Sequence, residues 1–239
     1  TMQTKGRFII VDGLTGSGKS TVLQAVTNWA VECGHRIFKL QDWKESTPPS
    51  FQDISDYDVY FTFEPTRSWV GAAIRHELSR EDLPYGGEEL AHAFALDREL
   101  NYRRLILPAL EAGKTVIQDR GVSSSIVYQP VMPDSVSLET LLSLPGNKLA
   151  LQNAPTAMVL TKLPAAVAVE RIAQRGGESK GVFADVKFLK KQEERFASPW
   201  FHQLFEERGT KVFELDTSGT LEETQRLATK LIDHILDRC

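Results

Sequence analysis

Gly13-Leu14-Thr15-Gly16-Ser17-Gly18-Lys19-Ser20 lies between a β-branched run, Arg7 to Asp12 (RFIIVD), and a segment from Lys19 to Glu32 whose apolar residues recur at helical spacing. The order is strand, glycine loop, helix. The string fits G-x-x-x-x-G-K-[ST], a pattern that average residue usage alone would produce on the order of once in a hundred chains of this length, and far less often in this setting. Its glycines let successive backbone N–H groups turn inward, and the helix starting near Lys19 adds a partial positive charge at the same spot. Such a loop cradles nucleotide phosphates. Lys19 then reaches the β- and γ-phosphates, and the Ser20 hydroxyl becomes a ligand of Mg2+. The plainer reading, a glycine-rich turn that binds nothing, leaves Lys19 as an idle charge.

Outward from this unit the alternation repeats. Val59 to Phe63, Thr115 to Gln118, Ala157 to Thr161 and Lys211 to Leu215 are further short apolar runs, each followed at a distance by helix-patterned sequence. Five strands interleaved with helices predict an α/β fold, a three-layer sandwich with a five-stranded, mostly parallel sheet and helices on both faces. Ile37 to Leu40 could add an edge strand. Leu90, Phe94, Leu100, Leu105 and Leu110 predict one long helix over Glu88 to Glu111, bent at Pro108 and stopped by Gly113. Two stretches break the rhythm. Asp42 to Asp58 holds Pro48-Pro49 and five acidic residues and reads as a surface insertion, either an extra hairpin or a disordered loop. Met132 to Ala154, with Pro133, Pro145-Gly146 and a short Leu-rich helix, reads as a second.

The 239 residues, 41% of them hydrophobic, can bury one substantial core, so a single domain over 1–239 is expected. A net charge of -4 with 25% charged residues gives no sign of a general nucleic-acid binder. Cys33 and Cys239 are too few for a disulfide framework. No leader pattern and no apolar run of membrane-spanning length occurs, which makes the cytoplasm the expected compartment. Thr1 ahead of Met2 reads as an expression remnant outside the fold.

A phosphate loop identifies a donor site only, since switches, motors and small-molecule kinases share it. The acceptor must be read elsewhere. Asp119-Arg120 follows the run Thr115 to Gln118 and so emerges at the carboxyl edge of the sheet, beside the loop. There Asp119 can hold Mg2+ through water or orient an acceptor, and Arg120 can grip a phosphate with two parallel hydrogen bonds. An isolated pair would as readily be a helix cap and a solvated charge.

The pair is not isolated. Followed by Ser124-Ser125 and Tyr128-Gln129, Asp119-Arg120 resembles the signature of the thymidylate kinase family. Phe94-Ala95-Leu96-Asp97-Arg98 resembles a second block of that family, whose aromatic stacks on thymine and whose arginine bonds its edge. Glu64-Pro65-Thr66-Arg67 resembles a third, a loop that contacts the dTMP phosphate. With the phosphate loop, four blocks stand in family order, and the form of the third, with the acidic insertion ahead of it, looks closest to archaeal members. The resemblance implies a nucleoside monophosphate kinase that transfers the γ-phosphate of Mg-ATP to dTMP, acting as a homodimer. It implies an ATP site of Gly13, Leu14, Thr15, Gly16, Ser17, Gly18, Lys19, Ser20 and Thr21, with Mg2+ at Ser20 and Asp119. The implied dTMP site comprises Asp12, Glu64, Pro65, Arg67, Phe94, Arg98, Arg120, Ser124, Ser125 and Tyr128.

Residue chemistry runs alongside. Phe94 and Arg98 are four apart and share one helix face, a flat apolar platform beside a planar donor that suits a pyrimidine, although an aromatic at such spacing is usually core. Arg67 and Arg120 together would neutralise an acceptor phosphate. Tyr128 could pack under deoxyribose or simply belong to the core. Ala166 to Arg175 reads as a helix leading into Gly176-Gly177-Glu178-Ser179-Lys180-Gly181, which resembles the kinase lid, about 171–185. In family members whose phosphate loop lacks an arginine, lid arginines stabilise the transferring group, so the resemblance implies that role for Arg171, Arg175 or Lys180, joining Lys19, Asp119 and Arg120 as catalytic residues. Three positions depart from the family pattern: Gly121 where a tyrosine is usual, Thr15 where many members place a carboxylate, and Lys180-Gly181 where bacterial lids carry Asp-Arg. They bear on acceptor selectivity, where thymine differs from uracil by one methyl group. Two other readings remain open: a deoxynucleoside kinase, and a nucleotide-dependent switch with no small-molecule acceptor.

Overall fold

The computed structural model describes residues 6–80, 85–174 and 185–237. Its strands are β1 (Arg7–Gly13), β2 (Ile37–Lys39), β3 (Val59–Phe63), β4 (Thr115–Asp119), β5 (Ala157–Lys162) and β6 (Lys211–Asp216). They form one parallel sheet in the order β2-β3-β4-β1-β5-β6. The sheet therefore has six strands rather than five. The sixth is the expected edge strand, three residues long, whose Phe38 is buried while its neighbours are partly exposed.

β1 shows why the run Phe8-Ile9-Ile10-Val11 has no polar alternation. Phe8 and Ile10 enter one hydrophobic core, and Ile9 and Val11 enter the other on the opposite face. A strand covered on both faces has to be apolar throughout. The second core is closed by α1 (Lys19–Glu32) and by the helix Leu221–Leu236, which contribute Val22, Val26 and Trp29, and Ala228, Ile232 and Leu236.

Strand register gathers the carboxyl ends that matter. Asp119 stands beside Val11 of β1 and Phe63 of β3, while Gly13 stands beside Thr161 of β5. After β1 the chain runs out to one edge and returns through β4, then continues to the other edge through β5. The crevice beside β1 is a switch point of the kind where ligands bind parallel sheets.

The long helix is present as a rod in three parts: α3 (Gly87–Asn101), a π-helical turn (Tyr102–Ile106) and α4 (Leu107–Glu111). The irregularity precedes Pro108 because proline has no N–H to donate and its ring crowds the carbonyl four residues earlier. A shorter α2 (Trp69–Ala73) also runs on into a π turn, Ile74–Leu78.

The acidic stretch between β2 and β3 forms two 3-10 turns, Leu40–Asp42 and Phe51–Ile54, instead of a hairpin. The Asp53 carboxylate closes the second turn by accepting from the Ser50 N–H and hydroxyl. The stretch also buries side chains at the sheet edge. Phe38 meets Trp43, Tyr57 and Tyr60, Phe51 meets Tyr60, and the Tyr60 hydroxyl donates to the carbonyls of Ile54 and Tyr57.

The stretch after α5 (Val122–Tyr128) carries α6 (Leu138–Ser143) and α7 (Pro145–Gln152). α7 lies directly on α3, where a Cβ at Gly146 would stand 1.8 Å from the Ala95 carbonyl oxygen. Gly146→Ala must therefore push the helices apart. We expect a loss of about 1–3 kcal/mol or more, typical of overpacking, read as a lower Tm and urea midpoint; an unchanged Tm would show that this docking does not hold in solution.

Candidate active site

The phosphate loop is built by three left-handed glycines, Gly13 (φ +137°), Gly16 (+79°) and Gly18 (+87°). At Gly13 no side chain could fit in any case, since a Cβ would stand 2.3 Å from Thr161 Oγ1. Lys19 is buried across the loop, its ammonium donating to the carbonyls of Gly13 (3.1 Å) and Leu14 (2.7 Å). Ser17 turns inward: its hydroxyl donates to Leu14 O at 2.7 Å and lies 2.5 Å from Thr161 Oγ1, while its own carbonyl accepts from Thr217. Leu14 is core. Ser20 is exposed in the first turn of α1, and Thr21 N donates to Gly18 O.

Asp12 is wholly buried at the end of β1. Its carboxylate accepts from Gly13 N, from Ser123 Oγ at 2.5 Å and from Ser124 Oγ at 2.8 and 3.0 Å. Arg120 stands 3.8 Å from it. The Arg120 backbone is left-handed (φ +65°), and its N–H donates to Val11 O. Its guanidinium lies over the Tyr128 ring and donates to Ser124, Tyr128 and Thr15, each at 3.2 Å. Tyr128 in turn donates to Gly13 O. Asp12, Thr15, Arg120, Ser124 and Tyr128 thus form one cluster against the phosphate loop. The departure at Gly121 has a local reason: a Cβ there would stand 3.0 Å from Ile10 Cδ1 and 3.2 Å from Gln118 Nε2, so a tyrosine would displace both.

A second cluster surrounds Arg98, whose side chain is 1% exposed. Nε and Nη2 donate to Glu64 Oε2 at 2.9 and 2.6 Å, Nη2 also to Ser125 Oγ at 2.9 Å, and Nη1 to Asn147 Oδ1. Gln118 donates to the other Glu64 oxygen. Burial pushes the Glu64 carboxyl up to about 7 against the pull of Arg98. Phe94, one turn before Arg98, is half-buried. Next to Arg98, Asp97 accepts from Thr66 N at 2.8 Å and Thr66 Oγ1 at 2.6 Å, pinning the Pro65–Arg67 loop. Arg67 itself is exposed, lies over the Phe63 ring and reaches Gln41 O at 3.4 Å. Arg67 and Arg120 share no hydrogen-bond partner among the described contacts, the first reaching Gln41 and the second Ser124, Tyr128 and Thr15.

Several residues without a predicted role carry this architecture. Arg75 also lies over the Phe63 ring and donates to the carbonyls of Pro65 and Thr66. Ser123, Gln118, Asp97 and Asn147 are buried partners in the two clusters. Gln129, directly after Tyr128, is 7% exposed, with neither amide atom partnered among the described residues. The only sequence signal for Asp97 and Gln129 is their membership of the quoted blocks.

On the lid side, Arg171 in the last turn of α8 (Ala165–Gln174) donates to the carbonyls of Thr217 and Gly219, a turn that packs against Ser17 and Gly18. Arg175 and Lys180 lie outside the described residues. For a divalent cation the donor set fits. Asp119 Oδ1 is buried with no hydrogen-bond partner among the described residues, and burial pushes its carboxyl up while Arg120 and Lys19 draw it back down. With the exposed Ser20 hydroxyl, that leaves one carboxylate and one hydroxyl at the loop, a set that suits Mg2+ completing its shell with phosphates and water.

A family model for thymidylate kinase matches residues 51–228. The probable thymidylate kinase of Pyrococcus abyssi is 32% identical over 180 residues, 74% of each chain. The thymidylate kinase of Caldicellulosiruptor saccharolyticus is 28% identical over 234 residues, covering 98% of this chain and 99% of its own, and the probable thymidylate kinase of Methanococcoides burtonii is 27% identical over 98% of this chain. With a phosphate loop and two arginine clusters at the carboxyl edge of one sheet, and a family model matched over most of its length, the chain belongs to the thymidylate kinase family.

Proposed function

We propose that this chain phosphorylates dTMP to dTDP with Mg-ATP as donor, with Lys19 on the donor side and Arg120 between donor and acceptor. The observation that carries the assignment of roles is the position of Arg120, which bonds Thr15 of the phosphate loop and, on its other side, Tyr128 and Ser124. A guanidinium held there can bridge an acceptor phosphate and the phosphoryl group in transit. Catalysis is then positioning and charge neutralisation with no covalent enzyme intermediate. Mg2+, held through Ser20 and Asp119, supplies charge compensation on the β- and γ-oxygens when bound.

On the acceptor side, Phe94 stacks on the pyrimidine, Arg98 donates to its edge carbonyl, and Arg67 with Arg120 holds the phosphate. Gln129 is added to this set because a free carboxamide offers a donor and an acceptor side by side, matching an imide edge. Pro65, Glu64 and Ser125 shape the pocket, and Asp12 fixes Ser124. Arg171 and, in the lid, Arg175 stabilise the group in transit. Homodimerisation and a cytoplasmic location rest on family resemblance; among the described residues, no helix is long and apolar enough to cross a membrane. The family match favours this reading over a deoxynucleoside kinase.

A coupled ADP-release assay across dTMP, dUMP, UMP, CMP and thymidine should rank dTMP first and thymidine last. A preference for thymidine would restore the nucleoside kinase. Lys19→Ala should abolish transfer, since no other described cation spans the loop carbonyls, and near-normal turnover would remove the donor assignment. Arg67→Ala should raise the KM for dTMP by about tenfold or more, the scale of a lost charge-assisted bond, with the KM for ATP nearly unchanged; Arg120→Ala should raise it likewise and also lower kcat, because Arg120 reaches the group in transit. A fall in ATP affinity instead would put both arginines on the donor side.

A further inference from the structure

α6 and α7 carry no motif, yet they reach the centre of the acceptor site. Asn147, 1% exposed in the first turn of α7, accepts from Arg98 Nη1 through its Oδ1. Its Nδ2 donates to the Leu141 carbonyl of α6 at 2.7 Å. The carboxamide therefore cannot flip without losing both bonds, and its oxygen is committed to the arginine. Gly146, one residue earlier, sits against the Ala95 carbonyl one turn before Arg98, so the α6–α7 corner is fixed to the helix that presents the guanidinium.

A guanidinium has five N–H groups in one plane. Here Nε–H goes to Glu64, the two Nη2 hydrogens serve Glu64 and Ser125, and one Nη1 hydrogen goes to Asn147. A single N–H, the second on Nη1, is left among the described contacts. Glu64 fixes the plane from one side, and Asn147 fixes which way the remaining N–H points.

We propose that Asn147 is a positioning residue for pyrimidine recognition: by holding one Nη1 hydrogen of Arg98, it aims the other at the edge carbonyl of the acceptor base. This rests on the reading of Arg98 as the base-edge donor. Asn147 itself touches no substrate. Its loss leaves Arg98 still bonded to Glu64 and Ser125 but able to tilt at the Nη1 end, so carbonyl recognition weakens while phosphate binding and phosphoryl transfer do not.

The test measures kcat/KM for dTMP and for the deoxynucleotide of 5-methyl-2-pyrimidinone, which lacks that carbonyl, in the wild type, Asn147→Ala, Asn147→Asp, Arg98→Ala and the double variant Arg98→Ala/Asn147→Ala. In Asn147→Ala, the preference for dTMP over the analogue should fall by about tenfold, the scale of a charge-assisted hydrogen bond, through KM for dTMP, with kcat and the KM for ATP nearly unchanged. Asn147→Asp keeps an oxygen for Arg98 but gives up the donation to the Leu141 carbonyl, so it should recover part of the preference, which also serves if the alanine variant folds poorly. In the Arg98→Ala background, removing Asn147 should leave the preference where it stands. Equal losses on both acceptors, or the same loss with and without Arg98, would overturn the proposal and leave Asn147 as a brace between helices. If Arg98→Ala itself leaves the preference intact while dTMP is still phosphorylated, it is the base-edge reading of Arg98 that falls, and the proposal with it.

Discussion

A carboxylate removed from water at the end of the central strand organises this protein. Asp12 is completely buried, and an ionised side chain in that position costs several kcal/mol unless hydrogen bonds and charge surround it. Its requirements are met by the first amide of the phosphate loop, by two serines at the start of α5 and by Arg120 at the end of β4. Satisfying one side chain therefore brings three segments to a common point: the donor loop, the strand end that carries Asp119, and the helix that carries Tyr128. The left-handed backbone at Arg120 belongs to the same arrangement, because its N–H is spent on Val11 of the neighbouring strand while its side chain turns back over the loop.

The Glu64–Arg98 ion pair is a second buried charge cluster, and the two differ in design. Around Asp12 the partners are mostly neutral donors, one from the adjacent residue and two from the start of α5. Around Arg98 the partners are acceptors, Glu64 after β3, Ser125 of α5 and Asn147 of α7, with Gln118 of β4 behind Glu64, so a buried cation there is also held by elements far apart in the chain. Breaking such a network at one member leaves the remaining charge unpaired, which is why buried ion pairs of this kind make orientation strict even when they add little net stability.

Features fixed by neighbouring residues are legible in the sequence. The phosphate loop, the strand Val59–Phe63 and the parallel sheet all follow from local periodicity and from glycines at set positions, and even the short edge strand shows in Ile37 to Lys39. The long helix is legible as well, but the sequence points to a bend at Pro108, whereas the turn that accommodates it lies at 102–106. What pattern cannot reveal are partners brought together from a distance. Asn147 meets Arg98 across 49 residues, and a lone asparagine in a Leu-rich stretch reads as an ordinary polar position. Arg75 reads as a solvated helix charge, although it fastens the Pro65–Thr66 loop. The acidic stretch misleads for the opposite reason: its charges point outward, but Phe51, Ile54 and Tyr57 beneath them extend the core.

The π-helical turn at Tyr102–Ile106 fits one more residue into the rod than an α-helical path of equal length would. Each added residue rotates the downstream part of a helix by about 100° about its axis. The face of α3 that presents Phe94 and Arg98 to the crevice and the face of α4 that seats Ala109 in the core are therefore in angular phase only because of that extra residue. Site and foundation are set on the same rod but clocked independently. A single-residue deletion within the turn would make the helix more regular, and in doing so would rotate Phe94 and Arg98 out of their present orientation while α4 stayed docked.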